Sequence, residues 1–213
     1  MKYSFIILFL LLTSAITLTK AQDTKVIKLP DPDRIGGKPL MQLLAARQSS
    51  REFSKEPLTT QQLSNLLWSA FGINRTGSGK RTAPSARNWQ EIDIYVTTAE
   101  GVYLYDAKDH GLKQILAEDI RALTGKQDYV KDAAINLIYV ADMSKLGDMS
   151  EEDKSFYSGA DTGFIAENAY LYCTSENLAV VVRAMIDRDK LAKKLNLRSE
   201  QRITLGQTIG NHK

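Results

Sequence analysis

A long helical pattern over residues 155–173 constrains this chain more than any other feature. Gly159, Ala160, Gly163 and Ala166 form a track of small residues along it. Because small side chains let helix axes come close, this helix is predicted to pack tightly against another helix. That neighbour can belong to the same chain or to a second copy, and the pattern leaves both possibilities open.

Two further helices are predicted ahead of it. One begins after Pro39 and carries Leu40, Leu43 and Leu44 on one face. The next begins at Thr59, where Thr59 and Gln62 have the spacing of a capping box. Its apolar residues recur at helical spacing, and we expect both apolar stripes to lie in the core. The stripe of the second helix consists of Leu63, Leu66, Leu67, Ala70 and Phe71.

The strands come later in the chain. Residues 92–96 alternate apolar and polar, and a turn at residues 99–101 leads into residues 102–105, which predicts a β-hairpin. Residues 134–140, 178–182 and 203–209 predict three further strands, and residues 112–123 and 187–195 predict two helices. Helices followed by a sheet with interleaved helices indicate an α+β fold.

The amino terminus has the pattern of an export signal. A basic start, a short apolar run and a small-x-small sequence ending at Ala21 predict a cleaved signal peptide over residues 1–21. The apolar run is short for a membrane span, so we expect an exported protein, periplasmic or secreted, without a stable membrane anchor. Residues 22–39 predict an extended arm, and residues 40–213 a single domain.

Composition excludes several kinds of function. The single cysteine, Cys173, excludes an internal disulfide framework, and with only two histidines we expect no metal site. The formal net charge of +3 falls to +1 on cleavage, because the signal holds two lysines and no acidic residue. Nothing in this charge points to a nucleic-acid partner.

Three segments carry groups suited to binding an anionic or planar ligand. Arg47 and Arg51 are one helical turn apart and flank Ser49, and guanidinium groups match phosphate oxygens. Residues 81–90 combine proline and small residues with amide side chains before a strand, and Lys213 ends the chain after the last strand. Each segment taken singly also fits a solvated turn, a polar loop or a frayed tail.

Together these segments resemble the flavin-dependent nitroreductase family over about residues 40–213. Residues 47–53 are similar to the family's Arg-Arg-Ser-x-Arg-x-Phe signature, with Gln48 in place of the second arginine. Residues 84–90 are similar to its Pro-Ser-Ser-x-Asn-x-Gln stretch, and residues 161–168 to its long central helix. The pair formed by residues 81–86 and 101–106 is closest to the SagB-type dehydrogenase subgroup.

The resemblance implies a nitroreductase-like α+β fold. It consists of a central mixed or antiparallel sheet flanked by helices, in a domain-swapped-style homodimer with FMN at the interface. Arg47, Gln48 and Ser49 would hold the phosphate and ribityl chain together with Lys213, and Arg51 would lie near flavin N1 and O2. Pro84, Ser85 and Ala86 would approach the flavin from the partner subunit with Asn88 supporting their loop. Arg183, Ala184 and Met185 would face N5 with their backbone.

The implied function is that of an exported FMN-dependent oxidoreductase. It would transfer two electrons as hydride through flavin N5, to or from a small organic substrate such as a nitro or quinone-like acceptor. NADH or NADPH would be the donor where accessible, and Tyr157 is a candidate catalytic tyrosine. The alternatives are a non-catalytic flavin-binding protein of the cell envelope, with N5 covered by Arg183 or Met185, and a structural domain with a decayed site.

Overall fold

A computed structural model describes residues 25–213 of the chain. The predicted signal peptide, residues 1–21, and the start of the predicted arm lie outside the described residues. The strands are β1 Val26–Lys28, β2 Ile73–Arg75, β3 Lys80–Arg81, β4 Ile92–Thr97, β5 Val102–Asp106, β6 Gly111–Leu116, β7 Ile135–Asp142, β8 Leu178–Arg183 and β9 Gln201–Asn211. The α-helices are α1 Leu40–Ala46, α2 Thr60–Phe71, α3 Glu151–Ser175 and α4 Arg188–Lys194.

The main sheet has seven strands in the order β1-β6-β5-β4-β7-β9-β8, and all recorded pairs are antiparallel. Every residue of β7 is buried, because β4 and β9 flank it and apolar clusters cover both faces of the sheet. Helices α2 and α3 contribute to the larger cluster and α4 to the smaller one. The predicted α+β fold with an antiparallel sheet is confirmed.

Helix α2 begins as predicted. The Thr59 side chain accepts from the Gln62 amide at 3.1 Å, and the Gln62 side chain accepts from the Thr59 amide at 2.9 Å. These two bonds satisfy donors that the first turn of a helix leaves free. Leu66, Leu67 and Phe71 of this helix are then buried in the core.

The predicted helix over residues 112–123 is wrong. Residues 111–116 form β6, which pairs with β5 on one side and β1 on the other, and only residues 121–123 form a short 3₁₀ turn. The apolar spacing from Leu112 to Leu123 fits a helix, but pairing with two strands satisfies the backbone of β6 and overrides that local pattern.

The apolar stripe of α1 is also not core, contrary to prediction. No residue of this helix is buried, and Leu40, Met41 and Leu44 are 59%, 74% and 50% exposed. Three large exposed apolar side chains on one short helix form a patch of the kind that marks an interaction surface.

The described part of the arm is tied to the sheet. It contributes the edge strand β1, and the Ser64 hydroxyl donates to the Pro30 carbonyl at 2.6 Å while bonding His110 Nε2 at 2.7 Å. His110 Nδ1 in turn lies 3.0 Å from the Tyr105 hydroxyl. The described part of the arm therefore includes a strand that pairs with the main sheet.

Helix α3 has both buried and open positions. Its buried residues include Asp161, Ile165, Ala169 and Tyr170. A Cβ added at Gly159 or Gly163 would meet no atom within 4 Å, so these members of the small-residue track face outward. Among residues 25–213, no helix combines the length and hydropathy needed to cross a membrane.

Candidate functional site

The segment after α1 lies along the free edge of strand β8. The Arg47 amide closes α1 by donating to the Leu43 carbonyl at 2.8 Å. Three residues on, the Ser50 amide donates to the Val180 carbonyl at 2.9 Å, and the Ser54 amide then reaches the Asn211 carbonyl at 2.9 Å. Backbone bonds therefore hold residues 47–54 against the end of the sheet.

Tyr170 of α3 organises this segment. Its hydroxyl accepts from the Val182 amide at 2.8 Å and lies 2.9 Å from the Ser49 hydroxyl. Its ring lies under Arg47, whose Cζ is 5.3 Å from the ring centroid. One buried side chain thus joins α3, β8 and the predicted phosphate-binding segment, and orients a guanidinium by a cation–π contact.

Arg47 and Arg51 are two cations of this segment. Arg51 is exposed and Arg47 is half-buried. Within residues 25–213 neither forms an ion pair with a carboxylate. Two unneutralised guanidinium groups beside a hydroxyl and a strand edge fit a bound phosphate-bearing group, since charge-assisted bonds to such oxygens are strong.

Strand β8 ends at the predicted N5-facing turn. Ala184 and Met185 are exposed there, and the Lys126 amide donates to the Met185 carbonyl at 3.0 Å. The backbone of this turn is open to a ligand. At the other end of the strand, Leu178 pairs with Asn211, so the carboxyl terminus with Lys213 lies at the opposite end of β8.

The Arg183 side chain turns away from the turn and into the core. Its guanidinium donates to Asn136 Oδ1 at 2.8 Å, to Thr208 Oγ1 at 2.8 Å and to both oxygens of Thr124. Burial lowers the pKa of this group to about 10. A Cβ at Gly206 would lie 2.9 Å from its Nη1, so that glycine makes room for it.

Lys213 is exposed and lines a cavity of about 430 Å³ together with Phe53, Lys55 and Asp132. Gln48 lines a separate cavity of about 150 Å³ with Ser50 and His212. The chain end therefore lies beside the residues that follow Arg51. The predicted role of Lys213 in holding a phosphate remains a prediction.

The loop of residues 84–88 lies apart from residues 47–54 and contacts α3 at a different position along that helix. The Ala86 amide donates to Asp161 Oδ2 at 2.9 Å. Inside the loop, Ser85 Oγ accepts from the Gln90 amide at 2.9 Å and Asn88 Oδ1 accepts from the Gln90 side chain at 3.0 Å. Asn88 therefore contributes a hydrogen bond within the loop, and Pro84 is exposed.

Helix α3 separates the two halves of the predicted site within one chain. Asp161 and Tyr170 are nine residues apart, which is about 13 Å along the axis and half a turn around it. Residues 47–51 and 183–185 are brought together by β8 and Tyr170, whereas residues 84–88 are not. Tyr157 belongs with the loop, because its ring contacts Trp89 with centroids 5.6 Å apart.

Sequence reasoning missed the roles of Tyr170 and Asp161. A tyrosine on an apolar helix face gives no signal of its hydrogen-bond partners. Asp161 was recognised in the sequence only as part of a helix motif. Its hydrogen bond to a loop 75 residues away is evident only in the structure.

Comparison with known proteins identifies the family. The profile of the nitroreductase family matches residues 44–211. A protein of Methanocaldococcus jannaschii named as a nitroreductase is 34% identical over 178 residues, which cover 78% of this chain and 88% of that protein. A crystal structure described as a nitroreductase of Ralstonia eutropha is 44% identical and covers 88% of this chain and 90% of its own, with a TM-score of 0.84.

More distant structures share the fold. The NADPH:FMN oxidoreductase of Vibrio harveyi, solved with NAD⁺, is 19% identical with a TM-score of 0.61, covering 81% of this chain and 68% of its own. A Desulfovibrio desulfuricans protein solved with FMN is 18% identical with a TM-score of 0.60, covering 83% of this chain and 88% of its own.

The chain belongs to the nitroreductase family. This family consists of FMN-dependent oxidoreductases, so the predicted family, fold, enzyme class and cofactor are confirmed at that level.

We predict that Tyr170→Phe lowers the free energy of unfolding by about 1–2 kcal/mol, because the Val182 amide and the Ser49 hydroxyl lose a shared partner. Urea denaturation followed by circular dichroism measures this. Tyr172→Phe is the matched control on the same helix, since the Tyr172 hydroxyl is buried without a hydrogen-bond partner among the described residues. Equal losses in the two variants would contradict the assigned role of Tyr170.

Proposed function

We propose that this chain is an exported, homodimeric FMN-dependent oxidoreductase that reduces or oxidises a small organic molecule. The observation that carries the proposal is the pair Arg47 and Arg51. Both lie beside the free edge of β8 without an acidic partner among residues 25–213, and the same strand ends in the exposed turn at residues 183–185. A phosphate-bearing planar cofactor is the kind of ligand that this arrangement fits.

When bound, FMN supplies two-electron hydride transfer at N5. Arg47, Gln48 and Ser49 hold its phosphate and ribityl chain, with Tyr170 fixing the position of Ser49. The Arg51 guanidinium places a positive charge at the N1–O2 edge. A fixed cation there favours negative charge on the ring and so raises the tendency to accept electrons.

The homodimer is supported by two exposed surfaces. The outer face of α3 presents Gly159, Gly163 and Phe164, and Phe164 is 49% exposed. Helix α1 presents Leu40 and Met41. In the proposed dimer these surfaces are covered by the second copy, whose loop of residues 84–88 completes the flavin site. The separation of the two half-sites by α3 is the reason that one chain does not suffice.

The substrate class is a nitro or quinone-like acceptor, or a molecule that is dehydrogenated in the reverse direction. The paired segments 81–86 and 101–106 favour a relationship to SagB-type dehydrogenases. Outside the cytoplasm NADH and NADPH are not expected to be accessible. The exported enzyme therefore either receives electrons from another donor or oxidises its organic substrate and passes the electrons onward.

A purely flavin-binding role is less well supported. It requires a side chain that covers N5, and Arg183 is committed to four polar contacts in the core. Met185, which is 61% exposed, is the remaining candidate. Mixing the dithionite-reduced, FMN-loaded protein with a quinone distinguishes the two roles, since an open N5 face predicts rapid reoxidation.

We predict that Arg47→Ala weakens FMN binding by about 10- to 100-fold and leaves riboflavin binding unchanged, because a charge-assisted bond to the phosphate is lost. Arg51→Ala is expected to weaken both ligands, because it contacts the ring. Flavin fluorescence titration measures the affinities. Lys108→Ala removes an exposed positive charge in a distant hairpin and is the control. Unchanged FMN affinity in both arginine variants would contradict the assigned cofactor site, and unchanged stability and ligand content are what the structural domain with a decayed site predicts.

We predict that Gly163→Glu converts the dimer to a monomer and abolishes FMN binding while the fold is retained. The new side chain meets no atom of its own chain but introduces charge into the proposed interface. Light scattering after size exclusion gives the mass. Gly77→Glu, at a glycine that is equally open in the chain, is the control. A Gly163→Glu dimer with full flavin content would contradict the proposed interface.

We predict that the exported protein begins at Gln22, after cleavage that follows Ala21. Amino-terminal mass spectrometry of protein from a periplasmic or culture fraction tests this. A retained Met1 in the cytoplasmic fraction would contradict export.

A further inference from the structure

A pair of buried carboxyl groups lies beneath the loop that enters the flavin site. Glu91 lies three residues after this loop, immediately before β4, and is 0% exposed; Asp161 of α3 is 2% exposed. No N–H or O–H group of the described residues donates to either carboxylate oxygen of Glu91. The side chain that interacts with the Glu91 carboxyl is the Asp161 carboxyl. Asp161 Oδ2 accepts from the Ala86 amide of the loop.

The loop itself is held in a strained conformation. Arg87, Asn88 and Gln90 have φ values of 48°, 58° and 49°, which side chains other than glycine rarely adopt. Such a conformation persists only where surrounding contacts enforce it, and it is typical of functional sites. The Ala86–Asp161 bond is the contact that anchors this loop to α3.

Within the part of the chain that the structure describes, no cation forms an ion pair with either acid. Lys145 is the basic group that acts on Glu91, and its Nζ donates to the Gln90 carbonyl at 3.1 Å and lies 3.9 Å from Asp93. Two adjacent buried carboxyl groups cannot both carry a charge at low cost. Asp161 already accepts an amide proton, which favours its ionised form, so Glu91 is the group that keeps a proton.

We propose that Glu91 and Asp161 share one proton, and that this proton keeps residues 84–88 in the conformation that the flavin site requires. Glu91 and Asp161 are then positioning residues that act through the Ala86 amide. The inference rests on the proposed function, in which this loop completes the flavin site of the other subunit.

The titration of the pair gives the direction of the effect. Burial is the largest cause that raises the pKa of Glu91, and the neighbouring Asp161 carboxyl raises it further, to about 7. Burial also raises the pKa of Asp161, although the hydrogen bond from the Ala86 amide lowers it. Above pH 7 the proton is lost and two like charges face one another below the loop. The proton of the pair therefore makes FMN affinity fall above pH 7, by up to about tenfold per pH unit for one linked proton.

The test is FMN binding to the full exported chain between pH 7 and pH 9, where the phosphate is already doubly ionised because its second pKa is about 6. The wild-type affinity is expected to fall across this range. Glu91→Gln, which keeps the shape without a titrating proton, is expected to bind FMN as tightly as the wild type does at pH 7 and to show no such fall. Asp93→Asn, which changes a neighbouring acid of β4, is expected to retain the wild-type profile.

An infrared measurement gives a readout without flavin. The wild type at pH 6 is expected to show the carbonyl band of a protonated carboxylic acid shielded from water, absent in Glu91→Gln and lost on raising the pH. If Glu91→Gln fails to fold, Asp161→Asn replaces it, because the asparagine oxygen still accepts from Ala86.

A wild type that binds FMN with no pH dependence, or without this band, overturns the shared proton and leaves the proposed function standing. A wild type that binds no FMN at any pH but shows the band overturns the proposed function instead.

Discussion

Helix α3 fixes the geometry on which the rest of the site depends. The helix packs against the sheet, and two of its buried polar side chains bond segments that are distant in sequence. The Tyr170 hydroxyl joins the helix to Ser49 and Val182, and the Asp161 carboxylate joins it to Ala86. Because a helix is stiff over this length, the spacing of the two half-sites is set by the rise per residue. The open side of the same helix is free to meet a second copy.

Much of the fold follows from local sequence patterns. The capping box at Thr59, the hairpin turn near Gly101 and the buried strand β7 have local signals, and each is present where expected. Strand β6 lacks such a signal, because its conformation is decided by pairing with β1 and β5. The prediction that the apolar stripe of α1 lies in the core was wrong for a related reason. An apolar helix face indicates that another surface packs on it, but not whether that surface belongs to the same chain.

The segments of the candidate site could be predicted from the sequence, but the contacts that bring them together in the fold could not. Arg47, Ser49 and Arg51 were predicted from residue type and spacing, because guanidinium and hydroxyl groups have a recognisable use. Tyr170 and Glu91 could not be, since their importance depends on which groups the fold places beside them. The Tyr170 hydroxyl bonds Ser49 and Val182, and the Glu91 carboxyl lies buried beside Asp161.

The arginines of this chain show how burial and partners separate structural from ligand-binding cations. Arg183 is 6% exposed and donates to backbone and side-chain oxygens in the core, so its charge is fully used inside the protein. Among residues 25–213, neither Arg47 nor Arg51 forms an ion pair with an acid. Their positive charge therefore remains available to an anion, since charge-assisted hydrogen bonds to phosphate oxygens are strong. This difference from Arg183 is the physical basis on which the proposed function assigns the phosphate of the cofactor to this edge of the sheet.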